Sequence, residues 1–458
     1  MSVTIVANRL PVERTEAGWA VSPGGLVTAL RPVLAERGGT WVGWAGEVGD
    51  PEHELPDFTA EDVHMAPVAL DETDLADYYE GFSNSSLWPL YHDRIRPPTF
   101  HRHWWRRYVA VNRRFAVTAA RHSPQGGAVW VHDYHLSLVP RMLREMRPDL
   151  RIGFFLHIPF PPLELFAQLP WRVGLLRGML GADAIGFQTQ GGARIFRRTA
   201  RHFLDVRLDG RNVRLADRHV RVEAQPIAID TGDFIAAAKS NAVDARVAEL
   251  RAQMGGRKVL LGVDRLDYTK GIRTRLRAFE ALLDRDPSWA ERAVFVQVAV
   301  PSRANIGLYR EMRESIEGAI GRINGRFSSA GVVPVHYFYS SLDRDELLAH
   351  YRMADVMVVT PPRDGMNLVA MEFCACRIED DGVLILSEFA GAARQLRRAL
   401  HINPYDLDGI TDAYEQALNM PLAEQRRHMR PMRALLRRRD VHVWARQALA
   451  AFAADPVS

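Results

Sequence analysis

The stretch Lys258–Gly271 reads KVLLGVDRLDYTKG and contains, in short form, the pattern on which the whole chain is built. Its apolar run Val259–Val263 predicts a buried β-strand, and the polar residues that follow predict a loop at the end of that strand. In parallel α/β sheets, ligands bind beyond the carboxyl ends of the strands. The loop after Val263 is therefore a candidate binding site.

Lys270, within this loop, is unusual for this chain. The sequence has 59 lysine and arginine residues, and the only lysines are Lys239, Lys258 and Lys270. Lysine is a compact point charge on a flexible stem, whereas arginine is a planar fork, so a site that retains lysine needs that shape. Arg265 and Lys270 on one loop after a strand indicate a clamp for a diphosphate. A solvated loop with a chance lysine is the alternative interpretation.

Length and composition indicate a globular protein of two domains. At 458 residues the chain suits two domains of about 200 residues each. Its net charge is only +4 and the charges of both signs are interspersed, so nucleic acid is not expected as a partner. No apolar run approaches about 18 residues, so no membrane is expected either. Cys374 and Cys376 lie two apart on a predicted helix and do not face each other, which predicts no disulfide and a cytoplasmic location. No metal site is expected.

Short apolar runs alternate with longer amphipathic stretches along the whole chain, which is typical of a parallel α/β sheet. The predicted strands are Val3–Ala7, Thr40–Trp44, Ala128–His132, Ile152–His157 and Ala184–Gln188, then Lys258–Val263, Ala293–Val300, Val332–Phe338, Val356–Thr360 and a final strand Gly382–Leu386. The proline-containing stretch Gln225–Asp230 separates the two series. We therefore expect one domain over residues 1–229, with a C-terminal helix 441–458 packing back on it, and a second over 230–440.

Polar residues at the predicted strand ends of the first half are candidate site residues. Asp133 follows one strand and His157 ends the next, and prolines hold the backbone after His157. Side chains on adjacent strand ends favour a shared site. Gly24 and Gly25 precede a predicted helix, where paired glycines allow the backbone to approach a phosphate.

The second half has a similar strand, turn and helix start at Thr360–Leu368. Its free N–H groups could bind a diphosphate or sugar hydroxyls. Glu372 lies about one and a half turns into the following helix, where a carboxylate could bind ribose hydroxyls. Arg303 follows another strand and could hold a phosphate.

Together these motifs resemble the trehalose-6-phosphate synthases, and the resemblance runs from Ala7 to about Trp444. The matching segments are Ser22–Leu26, Leu87–Pro89, Val131–His135, His157–Pro161, Arg265–Gly271 and Arg363–Leu368. The resemblance implies a retaining glycosyltransferase of the GT-B fold, an α/β architecture with two Rossmann-like parallel-sheet domains facing across a cleft. The N-terminal domain would bind the acceptor and the C-terminal domain the nucleotide sugar.

The resemblance also implies roles for individual residues. Donor binding would fall to Gly24, Gly25, Arg265, Lys270, Asp364, Gly365, Met366, Asn367, Leu368 and Glu372. Acceptor binding would fall to Arg9, Tyr79, Trp88, Asp133 and Arg303. Asp133, His157, Arg265 and Lys270 would be the catalytic residues, the first two at the reacting sugars and the last two at the donor diphosphate.

The implied reaction is transfer of glucose from a nucleotide-glucose to glucose 6-phosphate, giving α,α-trehalose 6-phosphate with retention at the donor anomeric carbon. No cofactor is expected, because the nucleotide-glucose is a substrate. Pro362, Met371 and the run Tyr337–Ser340 differ from the usual family residues, so UDP-, GDP- and ADP-glucose all stay open as donors, as does a homo-oligomer.

Two other functions are compatible with the same motifs. One is a pseudo-glycosyltransferase of secondary metabolism that uses a cyclitol substrate. The other is an inactive homologue that binds sugar phosphates as a sensor.

Overall fold

The computed structural model describes residues 3–15, 18–21, 27, 30, 34, 38–53, 55–60, 62–93, 98–302 and 307–453. Its contacts divide the chain into two units: unit 1 comprises Met1–Ile227 and Val441–Ser458, and unit 2 comprises Ala228–Asp440. The helix Val441–Ala453 belongs to unit 1, where the indole Nε1 of Trp444 donates a hydrogen bond to the Gln225 carbonyl at 2.9 Å.

Unit 1 is built on a ten-stranded sheet in the order β10-β11-β12-β9-β8-β7-β1-β4-β6-β5. The strands of the unit, including the separate β2–β3 hairpin, are β1 Val3–Arg9, β2 Val12–Thr15, β3 Gly18–Val21, β4 Gly39–Trp44, β5 Phe58–Ala60, β6 Val63–Pro67, β7 Ala128–His132, β8 Arg151–Leu156, β9 Ala184–Phe187, β10 Arg207–Asp209, β11 Asn212–Arg214 and β12 His219–Ala224. The central strands pair in parallel, and the edge strands β5, β10 and β11 pair antiparallel.

Helices cover this sheet, as the burial of its central strands shows. Every residue of β7 is buried, and so are five of the six residues of β8, as expected for parallel strands with helices on both faces. The helical segments of the unit are Glu72–Asp74, Leu75–Leu87 (a π-helix), Trp88–Tyr91, Arg102–His122, Tyr134–Leu136 (3₁₀), Val139–Met146, Leu163–Phe166, Arg172–Met179, Gln190–Phe203 and Val441–Ala453.

Unit 2 contains a six-stranded, fully parallel sheet in the order β15-β14-β13-β16-β17-β18. Its strands are β13 Lys258–Arg265, β14 Ala293–Val300, β15 Val335–Phe338, β16 Val356–Val359, β17 Val383–Ser387 and β18 Leu400–Ile402. Its helices are Thr231–Ala237, Asn241–Gln253, Tyr268–Lys270 (3₁₀), Ile272–Arg285, Trp289–Arg292, Gly307–Phe327, Arg344–Met353, Leu368–Cys376, Gly391–Arg394 (3₁₀), Leu407–Asn419 and Leu422–Arg438.

The predicted α/β class with two parallel-sheet domains is confirmed, but the list of strands was incomplete: in unit 1, β2, β3, β5, β6, β10, β11 and β12 were not predicted. The strand predicted at Gly382–Leu386 is not the last one, because Leu400–Ile402 adds a further strand beside it. Three residues are too short a run to stand out by apolar pattern. Cys374 and Cys376 are free and buried, in agreement with the prediction of no disulfide. Within the described ranges, no helix has the length and apolar character needed to cross a membrane.

Among the parallel strands at the centre of each large sheet, the strand order reverses at one point, and this point locates the candidate sites. In unit 2 the chain runs outward from β13 to β14 and β15, then returns to β16 on the other side of β13. In unit 1 the corresponding reversal lies between β1 and β7. Ligands of open parallel sheets bind beyond the carboxyl ends of the strands at such reversals.

Candidate active site

In unit 2, the loops that follow β13 and β16 are joined by an ion pair. The Lys270 Nζ lies 2.6 Å from the Asp364 Oδ2, and both side chains are largely buried, with 14% and 13% of their surface exposed. The Asn367 Nδ2 donates to the same carboxylate oxygen at 3.2 Å. The structure therefore brings three of the predicted residues together at the strand reversal of this sheet.

A fully buried arginine fixes the backbone beneath Lys270. The Arg275 Nη2 donates to the Lys270 carbonyl at 2.8 Å, and the Arg275 Nε donates to the Thr360 hydroxyl at 3.1 Å. The Arg275 Nη1 also lies 2.6 Å from the Asp264 Oδ2, and neither side chain of this pair is more than 4% exposed. Arg275 thus connects β13, the Lys270 loop and the end of β16.

Gly271 is required by the close approach of these same segments. Its φ is +68°, and a Cβ at this position would lie 2.1 Å from the Thr360 carbonyl oxygen. Any side chain would therefore push the Lys270 loop away from the end of β16.

Burial and nearby cations act in opposite directions on Asp264. Burial raises the pKa of its carboxyl, whereas the charges of Arg275 and Lys270 lower it. The carboxylate stays buried because two cations accompany it. The Lys270 ammonium is thus positioned by a network of charged groups below the loop.

The loop from Asp364 to Leu368 is supported from behind by the segment after β17. The Gly391 N–H donates to the Asp364 carbonyl at 3.2 Å, and the Ala392 N–H donates to the Met366 carbonyl at 2.8 Å. A Cβ at Gly391 would lie 1.9 Å from the Gly365 carbonyl oxygen. These contacts fix the loop backbone, which leads directly into the helix Leu368–Cys376.

Asn367 caps that helix from an unusual backbone conformation. Its φ is +80°, and its side-chain oxygen accepts from the Ala370 N–H at 3.1 Å. Asn is among the few residues that adopt positive φ readily. The cap satisfies one of the first N–H groups of the helix, which have no partner within the helix.

Glu372 and Arg265 occupy different surroundings. The Tyr351 hydroxyl donates to the Glu372 Oε2 at 2.8 Å, and burial raises the pKa of the Glu372 carboxyl, partly offset by this bond. Arg265 is the last residue of β13 and its side chain is exposed. Glu372 is therefore held in place by Tyr351, and Arg265 is exposed at the carboxyl end of β13.

In unit 1, Asp133 has a strained backbone at the end of β7. Its φ is +72° and its ψ is 169°, a region that is essentially restricted to glycine and costs about 1–3 kcal/mol. Its N–H donates to the Phe155 carbonyl at 2.8 Å, and its Oδ1 accepts from the His157 N–H at 3.2 Å. Strain of this kind clusters at functional sites.

His157 forms a neutral pair with His132. The His132 Nδ1 lies 3.0 Å from the His157 Nε2. Burial lowers the pKa of His157 to about 3, and burial and the neighbouring ring lower that of His132 as well. Both rings are therefore uncharged near neutral pH.

The surroundings of His132 indicate which nitrogen carries the proton. Its Nε2 is buried and has no partner among the described residues. A buried donor without a partner is rarer than a buried acceptor without one, so we assign the His132 proton to Nδ1, where it donates to His157. His157 then carries its own proton on Nδ1.

The predicted acceptor residues of unit 1 surround an aromatic cluster. The Arg9 guanidinium carbon lies 4.6 Å from the centroid of the Trp44 ring. The ring centroids of Tyr79 and Trp44 are 6.4 Å apart. Tyr79 also stacks on His135 at 5.9 Å. Trp88 is only 4% exposed and packs on Tyr134 at 5.7 Å, so it lies in the protein core beneath the surface.

Three predicted residues lie outside the described part of the chain: Gly24, Gly25 and Arg303. Their predicted roles in donor and acceptor binding stay predictions.

Comparison with known proteins identifies the family of the chain. The model of glycosyltransferase family 20 matches residues 1–454. The chain belongs to glycosyltransferase family 20. As a member of that family it is an enzyme that transfers a glycosyl group. The resemblance to trehalose-6-phosphate synthases is confirmed by a relative of that name from Mycobacterium avium, 51% identical over 98% of this chain and 94% of the relative.

Solved structures from the family share the fold. The α,α-trehalose-phosphate synthase (UDP-forming) from Burkholderia xenovorans, solved in complex with glucose-6-phosphate, is 36% identical with a TM-score of 0.93, covering 99% of this chain and 100% of that one. An E. coli structure bound with UDP-2-fluoro glucose is 34% identical with a TM-score of 0.92, and both chains are fully covered.

The sequence analysis gave no role to three residues of this chain: Arg275, His132 and Tyr351. Arg275 had a visible signal, because it lies on the apolar face of its helix with Ile272 and Phe279. His132 stood inside a recognised motif without a role. Nothing in the local pattern pointed to Tyr351.

Proposed function

We propose that this chain transfers glucose from UDP-glucose to glucose 6-phosphate, giving α,α-trehalose 6-phosphate with retention at the donor anomeric carbon. The observation that carries the proposal is the cluster of Lys270, Asp364 and Asn367 at the strand reversal of unit 2. It combines a cation for a phosphate with a carboxylate and an amide that suit sugar hydroxyls.

On the donor side, Arg265 and Lys270 bind the diphosphate in this proposal. Asp364 and Asn367 and the backbone of residues 365, 366 and 368 hold the glucose. Glu372, fixed by Tyr351, accepts from the ribose hydroxyls. The names of the relatives support uridine as the base, since a homologue of the same fold is described as UDP-forming.

On the acceptor side, Arg9 and Tyr79 bind glucose 6-phosphate beside Trp44. Trp88 supports this region from the core, and Arg303 would add a further cation for the phosphate. Asp133 orients the acceptor hydroxyl, and His157 donates from Nδ1 to a sugar oxygen. Since burial keeps the pKa of His157 near 3, it acts as a neutral hydrogen-bond donor.

Retention is proposed to proceed at one face of the donor sugar, with the leaving phosphate oxygen taking the acceptor proton. The carboxylate of Asp133 is held by the His157 N–H, which suits orientation of the acceptor. The chain then lowers the barrier mainly by positioning both sugars and by stabilising charge that develops on the diphosphate. Lys270 and Arg265 supply that stabilisation.

A donor screen tests the proposal. The chain is incubated with UDP-, GDP- or ADP-glucose at fixed glucose 6-phosphate, and the product is read by mass and by cleavage to trehalose after phosphatase treatment. We expect trehalose 6-phosphate, formed fastest from UDP-glucose. Turnover only with a cyclitol acceptor, or substrate binding without turnover, would overturn it.

A further inference from the structure

Three side chains of unit 1 that take no part in the proposed reaction converge on one point. His64 Nε2 lies 3.3 Å and His122 Nε2 lies 2.8 Å from the same oxygen, Asp57 Oδ2. The three ligand atoms all lie within 4.8 Å of one another. Two imidazoles and one carboxylate are a ligand set that zinc and related divalent metals use in proteins.

The orientation of His122 prepares its Nε2 for a cation. Its Nδ1 lies 2.8 Å from the Thr118 carbonyl, which can only accept, so the ring proton resides on Nδ1. In the neutral ring Nε2 then carries a lone pair, directed at a carboxylate oxygen that is itself an acceptor. Such a backbone bond to the far nitrogen is how proteins commonly orient metal-binding histidines.

The two separations that involve Asp57 fit a tetrahedral ion after a small adjustment. Ligand bonds of about 2.0–2.1 Å place neighbouring ligand atoms of tetrahedral zinc about 3.3 Å apart. The separation of His64 from Asp57 already has this value. The separation of His122 from Asp57 would have to widen by about 0.5 Å, which side chains 20% and 38% exposed allow.

The cluster lies at the end of the sheet opposite to the candidate active-site residues. In register, His64 pairs with Thr40, and Thr40 pairs with Thr4, near the start of each parallel strand. Arg9 is the last residue of β1, and Asp133 follows the carboxyl end of β7, which pairs in parallel with β1. Asp57 precedes the short edge strand β5, and His122 ends the helix Arg102–His122.

We propose that Asp57, His64 and His122 bind a divalent metal ion of the zinc class, with water completing the coordination. The ion fastens the edge hairpin β5–β6 to the C-terminal end of the helix Arg102–His122, where the helix dipole also favours a cation. An edge strand of three residues has few ladder hydrogen bonds of its own. The site is therefore structural, and glucosyl transfer does not depend on its ligands.

Equilibrium dialysis of the chelator-treated full chain against Zn²⁺ tests the proposal. We expect about one Zn²⁺ per chain, at least tenfold weaker binding in His64→Gln and His122→Gln, and a Zn²⁺-dependent rise in Tm of a few degrees that the unmodified chain shows and the two ligand variants lack. His53→Gln is the matched control. His53 is exposed and pairs with Asp50 at 2.7 Å, and no third ligand atom completes that pair among the described residues.

The outcomes are distinct. Stoichiometric binding that both ligand variants lose and His53→Gln keeps supports the site. Absence of stoichiometric binding, or equal binding in all variants, overturns it and leaves the cluster as a pair of histidine–carboxylate contacts. Circular dichroism of the glutamine variants, together with Asp57→Asn as a third ligand variant, separates loss of binding from loss of folding.

Discussion

The groups at the two strand reversals differ in charge. In unit 2, the Lys270–Asp364 pair rests on a second, fully buried pair, Arg275 and Asp264. In unit 1, the corresponding position holds Asp133 and two histidines whose pKa values burial lowers, so that the rings are neutral. The reversal in unit 2 is therefore built from charged pairs, whereas the reversal in unit 1 is built mainly from hydrogen bonds.

This difference matches what each half of the proposed glucosyl transfer requires. A diphosphate leaving group gains negative charge, so its side of the site benefits from cations that are already in place. An acceptor hydroxyl needs orientation above all, which neutral hydrogen-bonding groups supply. The comparison predicts large effects from charge removal in unit 2 and smaller effects from changes in unit 1.

The largest effect is expected for Lys270→Ala. Removal of a preorganised cation at the leaving group should lower kcat by about 10²–10³-fold, while the KM for glucose 6-phosphate changes little. Steady-state kinetics with both substrates varied provide the measurement. Lys258→Ala is the matched control, because Lys258 also pairs with an aspartate, Asp355, at 3.3 Å but is about half exposed.

Lys258→Ala should leave turnover unchanged. Full turnover in Lys270→Ala would remove Lys270 from the leaving-group end and break the contrast between the units. A rise in the KM for glucose 6-phosphate at unchanged kcat would move Lys270 to the acceptor.

The next effect concerns stability, through Arg275→Met. Loss of the guanidinium leaves Asp264 buried without its nearest cation, and breaking a buried pair costs about 3–5 kcal/mol. Urea unfolding followed by circular dichroism measures the change. The control is Arg285→Met on the same helix, where the arginine pairs with Asp408 and Asp412 at the surface and the loss should be small.

A double variant sharpens this test. Adding Asp264→Leu to Arg275→Met removes the uncompensated charge and should restore part of the lost free energy of unfolding. If Arg275→Met is no more destabilising than Arg285→Met, Lys270 is not held by a charged network, and the account of unit 2 is wrong.

The sequence predicted the strands well where apolar runs are long and clearly bounded. The strands Ala128–His132 and Ala293–Val300 have the predicted limits, because polar or turn residues stop each run. The strand Leu400–Ile402 was missed, since an alternation of only three residues, Leu-His-Ile, is too short to indicate a strand. Local pattern thus defines the centre of each sheet better than its edges.

The candidate site was predictable as separate pieces. Lys270 and Asp364 each follow an apolar run, so the rule on strand ends selects both. Their contact spans 94 residues and depends on the strand order, which no local pattern contains. Likewise, an aspartate after a strand does not reveal the strained φ of Asp133, because the strain is imposed by its contacts with Phe155 and His157.

The smallest effect tests the neutrality of unit 1 through pH. The folded chain keeps His157 neutral, with a pKa near 3, while the unfolded chain binds a proton as pH falls below about 6.5. Because the unfolded state then binds more protons, the free energy of unfolding must decrease as the pH is lowered across this window. His157 accounts for up to about 1.4 kcal/mol per pH unit, or about 2 kcal/mol between pH 6.5 and 5.

Urea unfolding at the two pH values, in the unmodified chain and in His157→Gln, isolates this contribution. Tryptophan fluorescence reports mainly on unit 1, because Trp289 is the one tryptophan of the ten that lies in unit 2. The stability advantage of the unmodified chain over His157→Gln should shrink at pH 5. His202→Gln, which removes an exposed histidine of unit 1, measures what a surface site contributes. An advantage that is equal at both pH values would mean that folded His157 carries a charge, and the two units would then not differ in the way proposed.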